Sequence, residues 1–310
     1  MKIKNRKLKI AVFLILTTGY LVLATGKALA QTQKGITVEP SIMHIDLSTD
    51  QPEYDLTYIN STNYAVGLTI SVQDFSALSD TYQIDYLSPA DAANYKYSLS
   101  SWLTFENKNF DLNPGEKKSI KVYIDKTRIT KGGHYAAILA EIGAPNGGQN
   151  SNVKAVLSSL LFVRADTGQE IEDGKIVTFE PNRDWLEFPD SFIVRFQNNG
   201  NVHVIPYGLI KIYDPLNNLV TQGTFNMDSL DALPESIRRY DTDIEVYQKV
   251  LLPGTYTAKI ALHFGDTNRK TSATVQFYSE GMFDFPKIGL GLIIILLVSL
   301  YLRKKLSKKS

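Results

Sequence analysis

The sequence predicts an all-β protein of two tandem β-sandwiches, with an apolar segment at each end of the chain. Three observations carry this. Short runs of alternating apolar and polar residues recur along the chain, separated by turn residues about every 8–12 positions. The pattern of the first half returns in the second at an offset of 138 residues. The 310 residues include no cysteine, so each sandwich must be held by its hydrophobic core alone.

The amino end opens with Lys2, Lys4, Arg6, Lys7 and Lys9, runs apolar from Ile10 to Ala24, and reaches Ala28-Leu29-Ala30. That order is a secretory signal peptide over residues 1–30, with cleavage before Gln31. The exported part then reads as strands. Tyr54–Ile59 and Val66–Val72 alternate on either side of the turn Asn60-Ser61-Thr62-Asn63. Ser119–Asp125 places Ile120, Val122 and Ile124 on one face, and Tyr135–Ile142 and Val153–Val163 are more continuously apolar. The Gly/Asn-rich stretch Gly143–Asn152 joins these last two as a loop at a sandwich end, where binding loops collect. Ser88, Pro89 and Asp91 supply a cap, a first-turn proline and a dipole-complementing acid for a short helix over Pro89–Tyr97.

The second half repeats the plan. Phe192–Gln197 leads to Asn198-Asn199-Gly200-Asn201, then to strands over Val202–Ile205 and Leu209–Tyr213. The offset superimposes Tyr54 on Phe192, Leu56 on Val194, Tyr58 on Phe196, Asn60 on Asn198 and Asn63 on Asn201. Gly133–Ile138 resembles Gly254–Lys259, and Ser272–Tyr278 forms the final strand. Two copies of one strand order point to sandwiches of immunoglobulin type, the first over 31–168 and the second over 169–280.

The carboxyl end has an uncharged run from Ile288 to Leu302, followed by Arg303, Lys304, Lys305, Lys308 and Lys309. Fifteen helical residues span roughly 22 Å against a hydrocarbon core of about 30 Å. Lys287 is placed to snorkel, and Met282, Phe283, Phe285 and Tyr301 are placed for the interfaces. The expectation is a transmembrane helix over 286–302 with a cytoplasmic basic tail, 303–310. The bulk of the chain would then lie outside a bacterial cell as a single-pass surface protein.

Charge is partitioned accordingly. Of 33 cations, six lie in the first 30 residues and five in the last eight, leaving 22 against 32 anions in between. Such an acidic balance excludes nucleic acid as a partner held by bulk charge.

The sequence offers no catalytic constellation. His44, His134, His203 and His263 each stand alone, without a second ligand at metal spacing. There is no nucleophile elbow or phosphate loop, so no enzyme activity, cofactor or metal is expected. The acids Asp166, Glu170, Glu172 and Asp173 in the interdomain stretch match no defined calcium loop and read as a solvated hinge. Binding is a different matter. Tyr82, Tyr86, Tyr95, Tyr97 and Trp102 cluster within 21 residues around the expected helix, and aromatic faces with polar tips suit sugars or protein partners.

Taken with the segments Phe110-Asp-Leu-Asn-Pro-Gly-Glu-Lys-Lys-Ser-Ile-Lys-Val122, Gly132–Ile138, Phe196–Val202, Leu233-Pro-Glu-Ser236 and Leu252–Ala258, this order of parts resembles the WxL-interacting-protein-like surface proteins of Gram-positive bacteria. The resemblance implies wall attachment by the first sandwich and protein or host-surface binding by the second. The leading expectation is thus a non-enzymatic, membrane-anchored protein recognising cell-wall polymer or a surface protein. The alternative is a chaperone-like assembly factor for secreted surface or pilus subunits, acting by strand addition at an exposed sheet edge. A hydrolase with an unrecognised cleft comes third.

Overall fold

Alternation dictates the strands, and burial follows it residue by residue. In β3 (Glu53–Asn60), Leu56, Tyr58 and Asn60 point inward. In β8 (Lys117–Ile124), Ile120, Val122 and Ile124 do the same. The two strands pair antiparallel with Leu56 opposite Ile120. A computed structural model describes residues 35–78, 80–81, 83–145, 155–165, 167–183, 187–244, 252–280 and 293–299.

The architecture is all-β, with two immunoglobulin-like sandwiches. One sheet of the first sandwich runs β1 (Ile36–Glu39), β3, β8, β6 (Leu103–Phe105). The other runs β2 (Ile42–Asp46), β10 (Ala155–Arg164), β9 (Gly133–Gly143), β4 (Val66–Ala77), β5 (Ile84–Tyr86), with β7 (Asn109–Leu112) also on β4. In the second sandwich, β11 (Gly174–Asn182), β12 (Ser191–Asn198) and β15 (Ser236–Asp243) face β14 (Leu219–Phe225), β13 (Tyr207–Tyr213), β16 (Gly254–Phe264) and β17 (Arg269–Ser279). Its core packs Phe192, Val194 and Phe196 of β12 against Ile210, Ile212, Tyr256 and Ile260. Each such side chain stabilises the fold by about 1.5–3 kcal/mol on burial. Both sandwiches belong to one compact unit that begins at Thr37.

The internal repeat has a physical counterpart at its asparagines. Asn60 and Asn198 are both fully buried. Asn60 donates through Nδ2 to Tyr64 O (2.9 Å) and Leu112 O (3.0 Å), and its Oδ1 accepts from Thr62 N (2.9 Å). Asn198 donates to Val202 O and Ala232 O (both 2.8 Å) and accepts from Gly200 N (2.9 Å). Each amide thus ties its own corner to a distant strand or loop. Alanine at Asn198 leaves two buried carbonyls and one N–H without that partner, which costs about 3 kcal/mol. Urea unfolding is expected to show this for Asn198→Ala and a similar loss for Asn60→Ala. A cost below about 1 kcal/mol at both would refute the pinning role.

Two expected elements are shorter than the sequence suggests. The helix, α1, covers only Pro89–Ala92, although Ser88 caps it through Asp91 N as anticipated. Beyond it the chain turns at Asn94 and Tyr95, and the buried ring of Tyr97 is drawn onto Tyr135. Val202–Ile205 is not a strand: Val204 alone bridges Ala232, because Asn198 already takes Val202 O and Pro206 has no N–H to extend a ladder.

Asn201, the last member of the repeat, joins the sandwiches. Its carbonyl accepts from Gly133 N (2.8 Å), and its N–H donates to Ile171 O (3.0 Å). The approach is so close that a Cβ at Gly132, where φ is +98°, would lie 2.6 Å from Asn201 O. Only glycine fits there.

At the carboxyl end the structure corrects an expectation. The described part of the apolar run, 293–299, is helical. Among the described residues no helix is long and apolar enough to cross a membrane. The expected span over 286–302 is therefore not supported. The signal peptide, the tail 303–310 and most of that span lie outside the described residues.

Candidate functional site

The five aromatic residues singled out in the sequence do not form one surface. Tyr97 and Trp102 are buried. Trp102 lies on His134, ring centroids 4.2 Å apart, and Tyr95 meets Tyr97 edge-on at 5.6 Å. Their rings serve the packing of the loop before β6. Tyr86 stays exposed on β5, its hydroxyl 3.3 Å from Ser158 Oγ on β10. Tyr82 and most of the loop Gly143–Asn152 lie outside the described residues.

Ser158 marks an open sheet edge. β2 runs parallel to β10 but pairs only with Leu160–Arg164. Leu160 N donates to Ser41 O (2.8 Å), so the N–H groups of even-numbered residues in β10 point to the β2 side. Upstream, Ala155–Ser159 pairs with β9 on one side, and among the described residues no strand pairs with it on the other. The outward backbone groups of Val156 and Ser158 therefore face a free edge. Val156, 50% exposed, shares a face with Leu160 and Phe162, an apolar stripe interrupted by Ser158. The stripe descends into a cleft of about 650 Å³ between the sandwiches, lined by Ile42, Ile84, Leu160, Leu230 and Arg238.

His44 and Asp231 on the wall of this cleft meet a third residue, His203, and sequence reasoning left the three apart. His44 comes from β2, while His203 and Asp231 come from corner segments of the second sandwich. His44 Nε2 lies 3.0 Å from both carboxylate oxygens of Asp231. The hydrogen bond to Asp231 raises the His44 pKa against the opposing effect of burial. Burial lowers that of His203 to about 4, so its imidazole is neutral at physiological pH. No spacing could have revealed the trio, since 159 residues separate the two histidines and no local pattern brackets either of them.

The acidic stretch between the sandwiches is dispersed rather than convergent. Glu170 accepts from Thr167 N (2.8 Å), and Asp173 accepts from Asn199 Nδ2 (3.3 Å). Glu172 is buried and bonded to Asp266 N, Thr267 N and Arg164. Asp166 lies outside the described residues. The described acids each have a separate partner, and no calcium cage forms from them.

No family model matches the chain, and no curated protein matches it. Solved structures do. A chaperone–tip adhesin complex of CFA/I fimbriae biogenesis shares 13% identity, with 80% of this chain and 99% of that chain covered and a TM-score of 0.42. The periplasmic chaperone SfaE shares 7%, with 79% and 99% covered and a TM-score of 0.35. The SafB chaperone in complex with the SafA pilin of Salmonella enterica gives 9%, 80%, 98% and 0.36. At these values the likeness carries no inference about activity.

What matches is nonetheless a set of fimbrial chaperones, not the WxL-interacting-protein-like surface proteins, and the expected kinship is corrected. The residues quoted for it answer to local physics that any sandwich shares. In Leu112–Glu116, Asn113 O accepts from Glu116 N and Gly115 takes φ +72°, the needs of a tight turn. The wall-polymer partner, the membrane partner and the single-pass location fall with that kinship.

Proposed function

We propose that the chain is a non-enzymatic, chaperone-like assembly factor that receives an extended segment of a secreted surface or pilus subunit at the free edge of β10. The observation that carries this is the stretch Ala155–Ser159, which among the described residues pairs with β9 alone, with exposed Val156 on the face that leads through Leu160 to the interdomain cleft. An incoming strand would gain main-chain hydrogen bonds from Val156 and Ser158. Alternate side chains would reach the apolar stripe. Bare edges of this kind invite aggregation unless they have a client.

A photo-crosslinking residue at position 156 of the full chain, expressed in its own cells, is expected to capture a secreted partner through an alternating apolar segment. Val156→Pro removes one outward N–H without touching the β9 ladder, and is expected to weaken that capture about tenfold or more. Capture through a folded surface, or capture unaffected by the proline, would defeat the proposal.

A further inference from the structure

We propose that His44, His203 and Asp231 bind one divalent transition-metal ion of the zinc class, and that this ion links the two sandwiches. The argument is independent of strand addition at β10.

One nitrogen from each imidazole and one carboxylate oxygen lie within 4.8 Å of one another. Tetrahedral zinc with ligands at about 2.0–2.2 Å needs its donors roughly 3.3 Å apart. The pair His44 Nε2 and Asp231 Oδ2 stands at 3.0 Å already. Two imidazoles and one carboxylate make a donor set for zinc and its neighbours, and not for calcium or magnesium, which take oxygen.

The site is built rather than incidental. Asp231 is only 5% exposed, yet among the described residues its carboxylate accepts hydrogen bonds from His44 alone. Arg238 Nη1 donates to the main-chain oxygen of Asp231 and leaves the carboxylate to His44, so both carboxylate oxygens stay available to an ion. The histidine rings are held before any ion arrives. His44 stacks on Phe162 at 5.0 Å, and His203 meets Phe162 edge-on at 5.4 Å. Tyr135 Oη lies 3.3 Å from His203 Nδ1 and steadies the ring from behind. On the solvent side, His44 and His203 border a second cleft of about 460 Å³, with room for water as the remaining ligand. Because His44 belongs to one sandwich and the other two ligands to its neighbour, an ion here would restrain the angle between them.

The test uses the full-length chain, made without a polyhistidine tag, stripped with chelator and titrated with Co²⁺ and then Zn²⁺. The expected result is visible d–d absorption that saturates at one Co²⁺ per chain and is abolished by one Zn²⁺. His44→Gln and His203→Gln are each expected to weaken Zn²⁺ binding about 100-fold or more. His44 is 42% exposed at the side chain, so His44→Gln keeps the fold testable if His203→Gln disturbs it, with far-UV circular dichroism as the control. No saturable absorption would overturn the proposal and leave a plain His44–Asp231 ion pair. So would Zn²⁺ affinity unchanged in His44→Gln.

Discussion

Asp74→Ala is expected to lower the free energy of unfolding by about 4 kcal/mol, the largest effect of any single change considered for this protein. Asp74 lies on β4 and is 1% exposed. Its carboxylate accepts four hydrogen bonds, from Ser98 Oγ (2.6 Å), Leu99 N (2.8 Å), Ser100 N (2.7 Å) and Ser100 Oγ (2.7 Å). Hydrogen bonds to a charged acceptor contribute about 1.5–3 kcal/mol each, and a buried N–H left without one costs about 1–3 kcal/mol. Leu99 is fully buried, so water cannot take over its N–H. The same four bonds position the segment that delivers Tyr97 and Trp102 to the core. Near-UV circular dichroism should therefore change along with stability. Asp74→Asn keeps the shape and part of the acceptor capacity, and should recover part of the loss. A cost below about 1 kcal/mol for Asp74→Ala, by urea or guanidinium unfolding, would show that packing alone holds the segment.

The second large effect is a pH dependence centred on Glu172. Burial pushes the Glu172 carboxyl upward, but hydrogen bonds from Thr267 Oγ1, Thr267 N, Asp266 N and Arg164 outweigh it and bring the pKa from 4.5 to about 2. The folded pKa lies below the unfolded one. The stabilisation is therefore complete above the unfolded value and is lost as pH falls from about 4.5 through about 2. A displacement of that size is worth about 3 kcal/mol. Glu172→Gln removes the ionisation without removing the bulk. The stability gap between wild type and Glu172→Gln should be wide at neutral pH and close toward pH 2, while the other carboxylates act on both proteins and cancel. A gap that stayed constant across this range would mean that Glu172 contributes through shape and not through charge. Glu172 reaches Asp266 and Thr267 from the segment between the sandwiches, so the loss should appear in the junction before the cores.

The particular residues show why the fold was legible and the site was not. Leu56, Tyr58 and Asn60 announce an inward face by their spacing, and Phe192–Asn198 repeats it. The asparagine pair was visible as a repeat, and the structure shows it to be a repeated hydrogen-bonding device. The aromatic cluster is divided, because ring-rich loops look alike in sequence whether they face water or the core; Trp102 and Tyr97 turn inward and only Tyr86 is exposed among those described. The Leu112–Glu116 turn misled about kinship because it encodes a hairpin, which many families need.

From the sequence by itself came the all-β class, two sandwiches, their offset repeat and the polar stretch between them. Those properties follow from periods of two residues and from turn chemistry, which act over a few positions of chain. Only the tertiary structure decided that β2 covers half of β10 and that Val156 has no strand beside it on that side among the described residues. It alone set His44 beside His203 and Asp231. Strand order and the meeting of corners are set by packing between segments more than a hundred residues apart, and no local pattern of side chains encodes which distant partner will arrive.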